Sequence, residues 1–371
     1  MNMFTDISKK LGFGCMRFPV VGEEVDLKAV SQMVDTFLEM GFNYFDTAHG
    51  YLSGKSETAL RECLTSRYPR DRYILTNKLS VNFFDKEEDI RPLFQKQLEA
   101  CGVDYFDFYL MHAQDKRSFA KYQRCRAYET ALAMQQEGLF RHFGISFHDR
   151  VEVLEEILTT YPQIQVVQLQ LNYVDFEDEA VQSRKCLEVC QKHGKPVIVM
   201  EPVKGGSLVN LPEDAKKVFD SLNGGSYASY AIRFAAGQEG VFMVLSGMGD
   251  MAVVQDNCGY MQNFVPLSDR EQAAVNTVCG IFRGLGAVAC TGCSYCTEVC
   301  PQKIPIPAIF ACLNAKKIFQ NWNSAYYFRN VQLSGGGKAS DCVGCGACEE
   351  NCPQHLPIRQ LLQEAAAAFE K

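Results

Sequence analysis

Two segments of the chain, CTGCSYCTEVCP at residues 290–301 and CVGCGACEENCP at 342–353, share the spacing C-x2-C-x2-C-x3-C-P. Cys290, Cys293, Cys296 and Cys300 form one run; Cys342, Cys345, Cys348 and Cys352 form the other. Thiols gathered this way are soft ligands for a metal centre. Far upstream, polar residues close or follow short apolar runs: Asp46 after NYF, Lys78 after ILTN, His112 after YLM, and Tyr51 in the loop beyond Asp46. Their types make an acid–base centre. A tyrosine is a weak proton donor near neutrality unless a cation favours its phenolate, and a lysine paired with an aspartate supplies one. A histidine beside them would hydrogen-bond a carbonyl oxygen and orient it. By position alone, the same four residues would also serve as ordinary loop anchors.

The elements that must position these groups follow from periodicity. DLKAVSQMVDTFLEMG places Leu27, Val30, Met33, Val34, Phe37 and Leu38 on one helical face, with Asp26 as N-cap and Gly41 closing the helix. Glycines at 102, 138 and 194 end three further helical stretches before the strands VDYFDFYLMH, LFRHFGIS and KPVIVME. With LGFGCMRF, FNYFDTA, RYILTNK, VVQLQLNY and VFMVLSG, the chain reads as eight apolar strands, each followed by a helical stretch. Eight such units over residues 10–265 predict an α/β fold, a (β/α)8 TIM barrel, with its chemistry at the carboxyl ends of the strands. An open doubly wound sheet is the alternative, weakened because no G-x-G-x-x-G follows the first strand.

A chain of 371 residues with 47% hydrophobic content predicts one large domain and a small one. A net charge of −7 and the lack of a long basic run argue against nucleic acid. MNMFTDISKK has no basic start leading into an apolar core, and no stretch approaches a membrane span, so a cytoplasmic protein without membrane association is expected. The nine cysteines outside the two runs, Cys186 and Cys190 among them, read as small apolar core residues in a reducing compartment.

DTAHGY (Asp46–Tyr51), TNK ending at Lys78 and LMH ending at His112 resemble the aldo-keto reductases, in order and over roughly residues 10–265. The resemblance implies nicotinamide-dependent reduction of a small carbonyl compound, or oxidation of the alcohol. It implies Tyr51 as proton donor to the carbonyl oxygen, Lys78 and Asp46 tuning it, and His112 orienting the substrate.

The same resemblance suggests cofactor contacts at Ser146, Gln168, Met200, Asp256 and Asn257. Phe147 stands where the family commonly has an asparagine, and Met200 where a tyrosine usually stacks on nicotinamide. Gly247 and Val253 fill the slots of the basic residues that hold an adenosine 2′-phosphate, which leaves NADPH and NADH open. Lys204, Gly205 and Gly206 after the seventh strand, and Ser246, Gly247 and Gly249 after the eighth, suit a phosphate, because glycines let backbone N–H groups approach an anion. FMN would satisfy those loops as readily as a dinucleotide. His49 and His148 flank the motifs and read as solvated loop histidines.

The cysteine spacing is that of bacterial ferredoxins, in which three thiolates of a run hold one 4Fe-4S cluster and the fourth holds its neighbour. Two clusters are therefore expected, one on Cys290, Cys293, Cys296 and Cys352, the other on Cys342, Cys345, Cys348 and Cys300, the crossing being taken from ferredoxins. Zinc sites space their cysteine pairs differently. The insert IPIPAIFACLNAKKIFQNWNSAYYF looks mainly helical, and the whole resembles the iron-sulfur branch of the aldo-keto reductases, which GISFHD also fits. The expected division is a barrel over 1–267, then a connecting helix and dicluster ferredoxin-like domain over 268–371. Clusters pass single electrons and nicotinamide passes a hydride. Three arrangements stay open: structural or sensing clusters, a flavin such as FMN in the barrel mouth, or an electron-carrier partner. An electron-transfer protein without carbonyl chemistry, and a regulatory subunit, are the competing readings.

Overall fold

In the computed structural model, residues 4, 6–178, 181–286, 288, 290, 294–319, 324–325, 328, 331, 335–352 and 354–370 are described. The apolar runs form eight strands: β1 (Leu11–Gly14), β2 (Tyr44–Asp46), β3 (Ile74–Leu79), β4 (Phe106–Gln114), β5 (Phe140–Phe147), β6 (Val166–Gln170), β7 (Val197–Met200) and β8 (Val241–Ser246). They are parallel and bonded in sequence order, and β1 pairs with both β2 and β8, which closes the barrel. The open sheet is thereby excluded.

Local chemistry explains the connections. Asp26 accepts a 3.0 Å bond from Ala29 N and caps the helix Leu27–Glu39, whose Val30, Met33, Val34, Phe37 and Leu38 are buried. Leu27, expected on the same face, is exposed at the first position of the helix. Inside the barrel, Tyr44, Phe108, Leu110, Val166 and Met243 pack with Phe4 into a solid core. Gly144 makes that packing possible. A Cβ there would stand 2.5 Å from Val166 Cγ1 and 2.6 Å from Leu110 Cδ2.

By compactness the chain forms two units, Met1–Glu177 with Val181–Gly205 and Gly225–Gln272, and Asp178–Ala180 with Gly206–Gly224 and Ala273–Lys371. The second unit contains a tandem repeat, each position answering to one 52 further on, as Cys290 does to Cys342. Short helices Tyr295–Glu298 and Ala347–Glu350 come after left-handed Ser294 (φ 65°) and Gly346 (φ 85°). Longer helices Ile306–Phe319 and Ile358–Phe369 come after left-handed Lys303 and His355, both at φ 51°. Ile309, Phe310, Leu313, Ile358 and Leu362 fill the core between the halves. The expected helical insert is thus a helix over Ile306–Phe319, and part of the segment between that helix and Cys342 lies outside the described residues.

Candidate active site

The loop leaving β2 carries Tyr51 back over the barrel mouth through a tight turn. Leu52 (φ 51°), Ser53 (φ 57°) and Gly54 (φ 89°) are successively left-handed. Two non-glycine residues in that region cost about 1–2 kcal/mol each and persist only where surroundings fix them. Here Ser56 Oγ donates to Cys15 O at 2.9 Å and shares a 2.8 Å bond with Thr47 Oγ1, tying the loop to the end of β1.

Lys78, wholly buried near the end of β3, reaches across to that loop. Its Nζ donates to Asp46 Oδ1 at 2.6 Å, to Thr47 O at 2.8 Å and to the Tyr51 hydroxyl at 3.3 Å. Gln168 Nε2 donates to the other oxygen of Asp46 at 3.2 Å. Burial works against the charge of Lys78, but Asp46 and Tyr51 outweigh it and hold the ammonium above the ordinary lysine value. Burial lifts Asp46 above the usual carboxylate range, with Lys78 pulling it back. Burial also raises Tyr51 above a free phenol, against the pull of Lys78. Lys78 thus favours the phenolate as expected, but burial outweighs it in the resting site and the phenol keeps its proton at neutral pH.

His112 is delivered by an irregularity of β4. The register against β5 shifts between Met111 and Gln114, and Ala113 turns left-handed (φ 52°) with its N–H bonded to Ser146 Oγ at 2.8 Å. Such a bulge re-aims a side chain next to a site. The ring lies 5.8 Å from the Tyr51 ring, edge to face, and Nδ1 shares a 2.6 Å bond with Ser80 Oγ. Burial, then the charges of Lys78 and His148, push His112 well below the ordinary histidine value, so a neutral imidazole faces the mouth. His49 is not a solvated loop residue: its Nδ1 is 2.7 Å from the buried Glu57 carboxylate, which raises its pKa.

The expected cofactor residues divide into two groups. Ser146 and half-buried Met200 lie at or beside the ends of β5 and β7, and buried Gln168 sits in the middle of β6. Like Ser146 and Gln168, which bond Ala113 and Asp46, others are engaged within the chain: Asn257 Nδ2 donates to Ser246 Oγ at 2.7 Å, Ser226 Oγ donates to Asp256 at 2.6 Å, and Lys204 pairs with Asp175 at 2.7 Å. Another cation stands beside the glycines. A Cβ on Gly247 would meet Arg17 Cδ at 2.9 Å, one on Gly205 would meet Arg17 Nη2 at 3.5 Å, and one on Gly249 would meet Arg17 O at 3.3 Å. Arg17 is exposed and closes the single 3-10 turn that leaves β1, so the loops after β7 and β8 converge on one residue of the loop after β1. Sequence reading missed Arg17 because its partners are distant; its place just past the first strand end was the available signal.

In the second unit, Cys300, Cys342, Cys345 and Cys348 line one cavity of about 320 Å³, part of it open to solvent. Cys290, Cys296 and Cys352 line another of about 320 Å³, and Cys293 lies outside the described residues. Ile306 lines both. The fourth cysteine of each run thus faces the other run's cavity. Among the described residues no three His, Cys, Asp or Glu side chains converge on a point that would hold a single metal ion. Thiols around apolar-walled cavities, with Ile304 N–H directed at Cys300 Sγ from 3.5 Å, fit a polynuclear iron-sulfur group instead.

The aldo/keto reductase family profile matches residues 10–279. The chain belongs to the aldo/keto reductase family. A second profile, the 4Fe-4S dicluster domain, matches residues 289–356 of this aldo/keto reductase. The uncharacterized oxidoreductase YqkF of Bacillus subtilis is 28% identical over 235 residues, 61% of this chain and 70% of that protein. The NADH-specific methylglyoxal reductase of Escherichia coli is 26% identical over 195 residues, 47% of this chain and 57% of that protein. The chain therefore spans a little over half to seven-tenths of these relatives' lengths. Among solved structures, an aldo-keto reductase of Bacillus halodurans superimposes with a TM-score of 0.60 at 24% identity, covering 73% of this chain and 92% of that one. An aldo-keto reductase of Klebsiella pneumoniae in complex with NADPH gives 0.60 at 17% identity, covering 73% and 95%. At such identities the likeness is one of fold. Family membership makes this aldo/keto reductase an oxidoreductase.

Proposed function

We propose that the barrel reduces a small carbonyl compound, or oxidises the alcohol, with Tyr51 as proton donor and acceptor. The observation that carries this reading is the convergence of Lys78 Nζ on both Asp46 Oδ1 and the Tyr51 hydroxyl, with the neutral His112 ring beside them. Tyr51 holds its proton in the resting site, and Lys78 stabilises the phenolate once that proton has gone to the carbonyl oxygen, which is differential stabilisation of the reacting state. His112, its Nδ1 held by Ser80, directs its remaining ring nitrogen to the carbonyl oxygen. A nicotinamide cofactor, when bound, supplies or accepts the hydride. The NADPH-bound relative supports this choice, and Arg17 with Gly205, Gly247 and Gly249 fits its phosphates; Ser146, Gln168, Met200, Lys204, Ser246, Asp256 and Asn257 are the further cofactor contacts that the resemblance implies.

The two cysteine-lined cavities support two 4Fe-4S clusters and exchange of single electrons with a carrier protein. A reducing, cytoplasmic setting goes with that reading, because cluster ligation needs the cysteines of both runs as thiolates rather than disulfides. A second reading places FMN in the barrel mouth. It is favoured by Met200, which offers a thioether at the end of β7 where an aromatic ring would stack on nicotinamide.

Anaerobic purification, iron and sulfide analysis, and chromatography of the nucleotide released on denaturation test both readings. About eight irons per chain, NAD(P)H binding and carbonyl-dependent NAD(P)H oxidation are expected. Stoichiometric FMN would replace the nicotinamide reading. Neither cofactor, with no carbonyl turnover, would overturn the barrel assignment.

A further inference from the structure

The tandem repeat makes the two cysteine-lined cavities near copies of one another, so their differences are informative. Gln302, Ile304 and Ile306 on one cavity answer to Gln354, Leu356 and Ile358 on the other, and Leu362 answers to Phe310. One pair breaks the match in charge. Arg359, second residue of its helix, lines the cavity of Cys300, Cys342, Cys345 and Cys348, whereas its counterpart Pro307 lines the cavity of Cys290, Cys296 and Cys352. No charged side chain lines that second cavity among the described residues.

Arg359 is held in place. Its Nε donates to Glu349 Oε2 at 2.9 Å, its backbone N–H donates to Glu349 Oε1 at 2.9 Å, and Nη1 approaches Gly344 O, between Cys342 and Cys345, at 3.5 Å. The counterpart of Glu349 in the other half is Thr297, so both members of the ion pair belong to one repeat only. Of the two, only Arg359 faces the cavity. A reduced cluster is one charge more negative than an oxidised one, so a fixed cation at its wall favours reduction, and a carboxylate behind that cation offsets part of the effect.

We propose that Arg359 sets the cluster on Cys300, Cys342, Cys345 and Cys348 at a higher reduction potential than its pseudo-symmetric neighbour. This rests on the dicluster reading and adds an order to it. An electron entering from an external one-electron reductant settles first on the Arg359 side. Cys345 and Val343 are exposed at that cavity, so the same side presents the electron to a carrier.

The test is potentiometry of the full chain, purified without oxygen and reduced stepwise with dithionite, read by electron paramagnetic resonance. Wild-type protein should show two one-electron steps separated by at least a tenfold electron-sharing constant, about 59 mV for a one-electron couple. Arg359→Gln should lower the upper step toward the lower one and leave the lower unmoved; Arg359→Lys should largely keep the separation. Glu349→Gln breaks the same ion pair but leaves the cation uncompensated, so it should move the upper step upward. Pro307→Arg should raise the lower step. Unmoved steps in Arg359→Gln, or the same direction of shift in Arg359→Gln and Glu349→Gln, would overturn the proposal while leaving two clusters standing. A wild-type protein with too little iron for two clusters would overturn the dicluster reading and the proposal together.

Discussion

Lys78 Nζ stands 2.6 Å from Asp46 Oδ1, and neither side chain is more than 4% exposed. Each charge is therefore tolerable only because the other is present, since removing one partner of a buried pair leaves the other uncompensated at a cost of about 3–5 kcal/mol. Asp46→Asn keeps the shape and removes the charge. It should lower the urea midpoint by the equivalent of about 3 kcal/mol, and the double variant Asp46→Asn/Lys78→Met should recover part of that loss. Additive losses in the double variant would show that the pair is not coupled.

Tyr51→Phe removes one hydroxyl from a ring held by His112 and Lys78. The hydroxyl accepts only the 3.3 Å bond from Lys78, so folding should change by less than about 1 kcal/mol. Carbonyl turnover should fall by roughly 10²–10⁴, the usual worth of a positioned proton donor. Steady-state kinetics with nucleotide titration would separate the two effects: kcat falls and nucleotide affinity stays. Undiminished turnover would remove Tyr51 from the chemistry.

Much of this architecture is legible in the sequence because the barrel repeats one simple pattern, an apolar run and an amphipathic stretch, often with a glycine between. Gly41, Gly102, Gly138 and Gly194 all take positive φ, between 64° and 86°, as a helix stop requires. Asp46, Lys78 and His112 stand out because they are polar where an apolar run ends. What periodicity cannot carry is local departure from it. The bulge that aims His112 and the left-handed Leu52 and Ser53 that return Tyr51 to the mouth have ordinary residue types at unusual dihedrals. Arg17 depends on three loops meeting in space. The contrast between Arg359 and Pro307 was written in the repeat, yet it gains meaning only once both residues line cavities.

The depressed His112 gives stability a pH dependence of definite sign. In the unfolded chain this imidazole takes a proton near pH 6.5, while in the folded site burial and Lys78 keep it neutral to lower pH. The unfolded state then binds more protons, so stability falls as pH drops below about 6.5, by at most about 1.4 kcal/mol per unit. His49 acts oppositely: its pKa is raised by Glu57, so its contribution is present at low pH and is lost as pH rises through the folded value. Comparing wild type with His112→Gln isolates the first effect. The wild type should lose stability relative to the variant between pH 7 and pH 5, in chemical denaturation followed by fluorescence. A constant difference would mean that His112 titrates normally.

Two glycines test how tightly the barrel wall constrains its interior. A methyl group at Gly144 would fall 2.5 Å from Val166 Cγ1 and 2.6 Å from Val166 O, and the carbonyl, being backbone, cannot turn aside. Gly144→Ala should therefore destabilise by about 1–3 kcal/mol through overpacking. Gly259, inside the helix Met251–Met261, has nothing within 4 Å of its would-be Cβ. Gly259→Ala should stabilise by about 0.5–1 kcal/mol, since alanine loses less backbone entropy on folding. Thermal unfolding of the two variants beside wild type would decide it, and shifts of the same sign would contradict the contrast.

Arg17 offers the most direct reading of what the strand-end loops hold. It is exposed, it lies against Gly247 and Gly205, and among the described residues no carboxylate pairs with it. A guanidinium in that setting gains most from an anion that also reaches backbone N–H groups of the glycine loops. Arg17→Ala should weaken NADPH or NADH binding about tenfold, the worth of one charge-assisted hydrogen bond, and should flatten the dependence of affinity on salt. Arg17→Lys should recover the salt dependence more fully than the affinity, because a point charge attracts a phosphate without the bidentate geometry. Calorimetric titration at low and high salt separates these outcomes. Equal affinity in wild type and Arg17→Ala at both salt concentrations would place the phosphates away from Arg17.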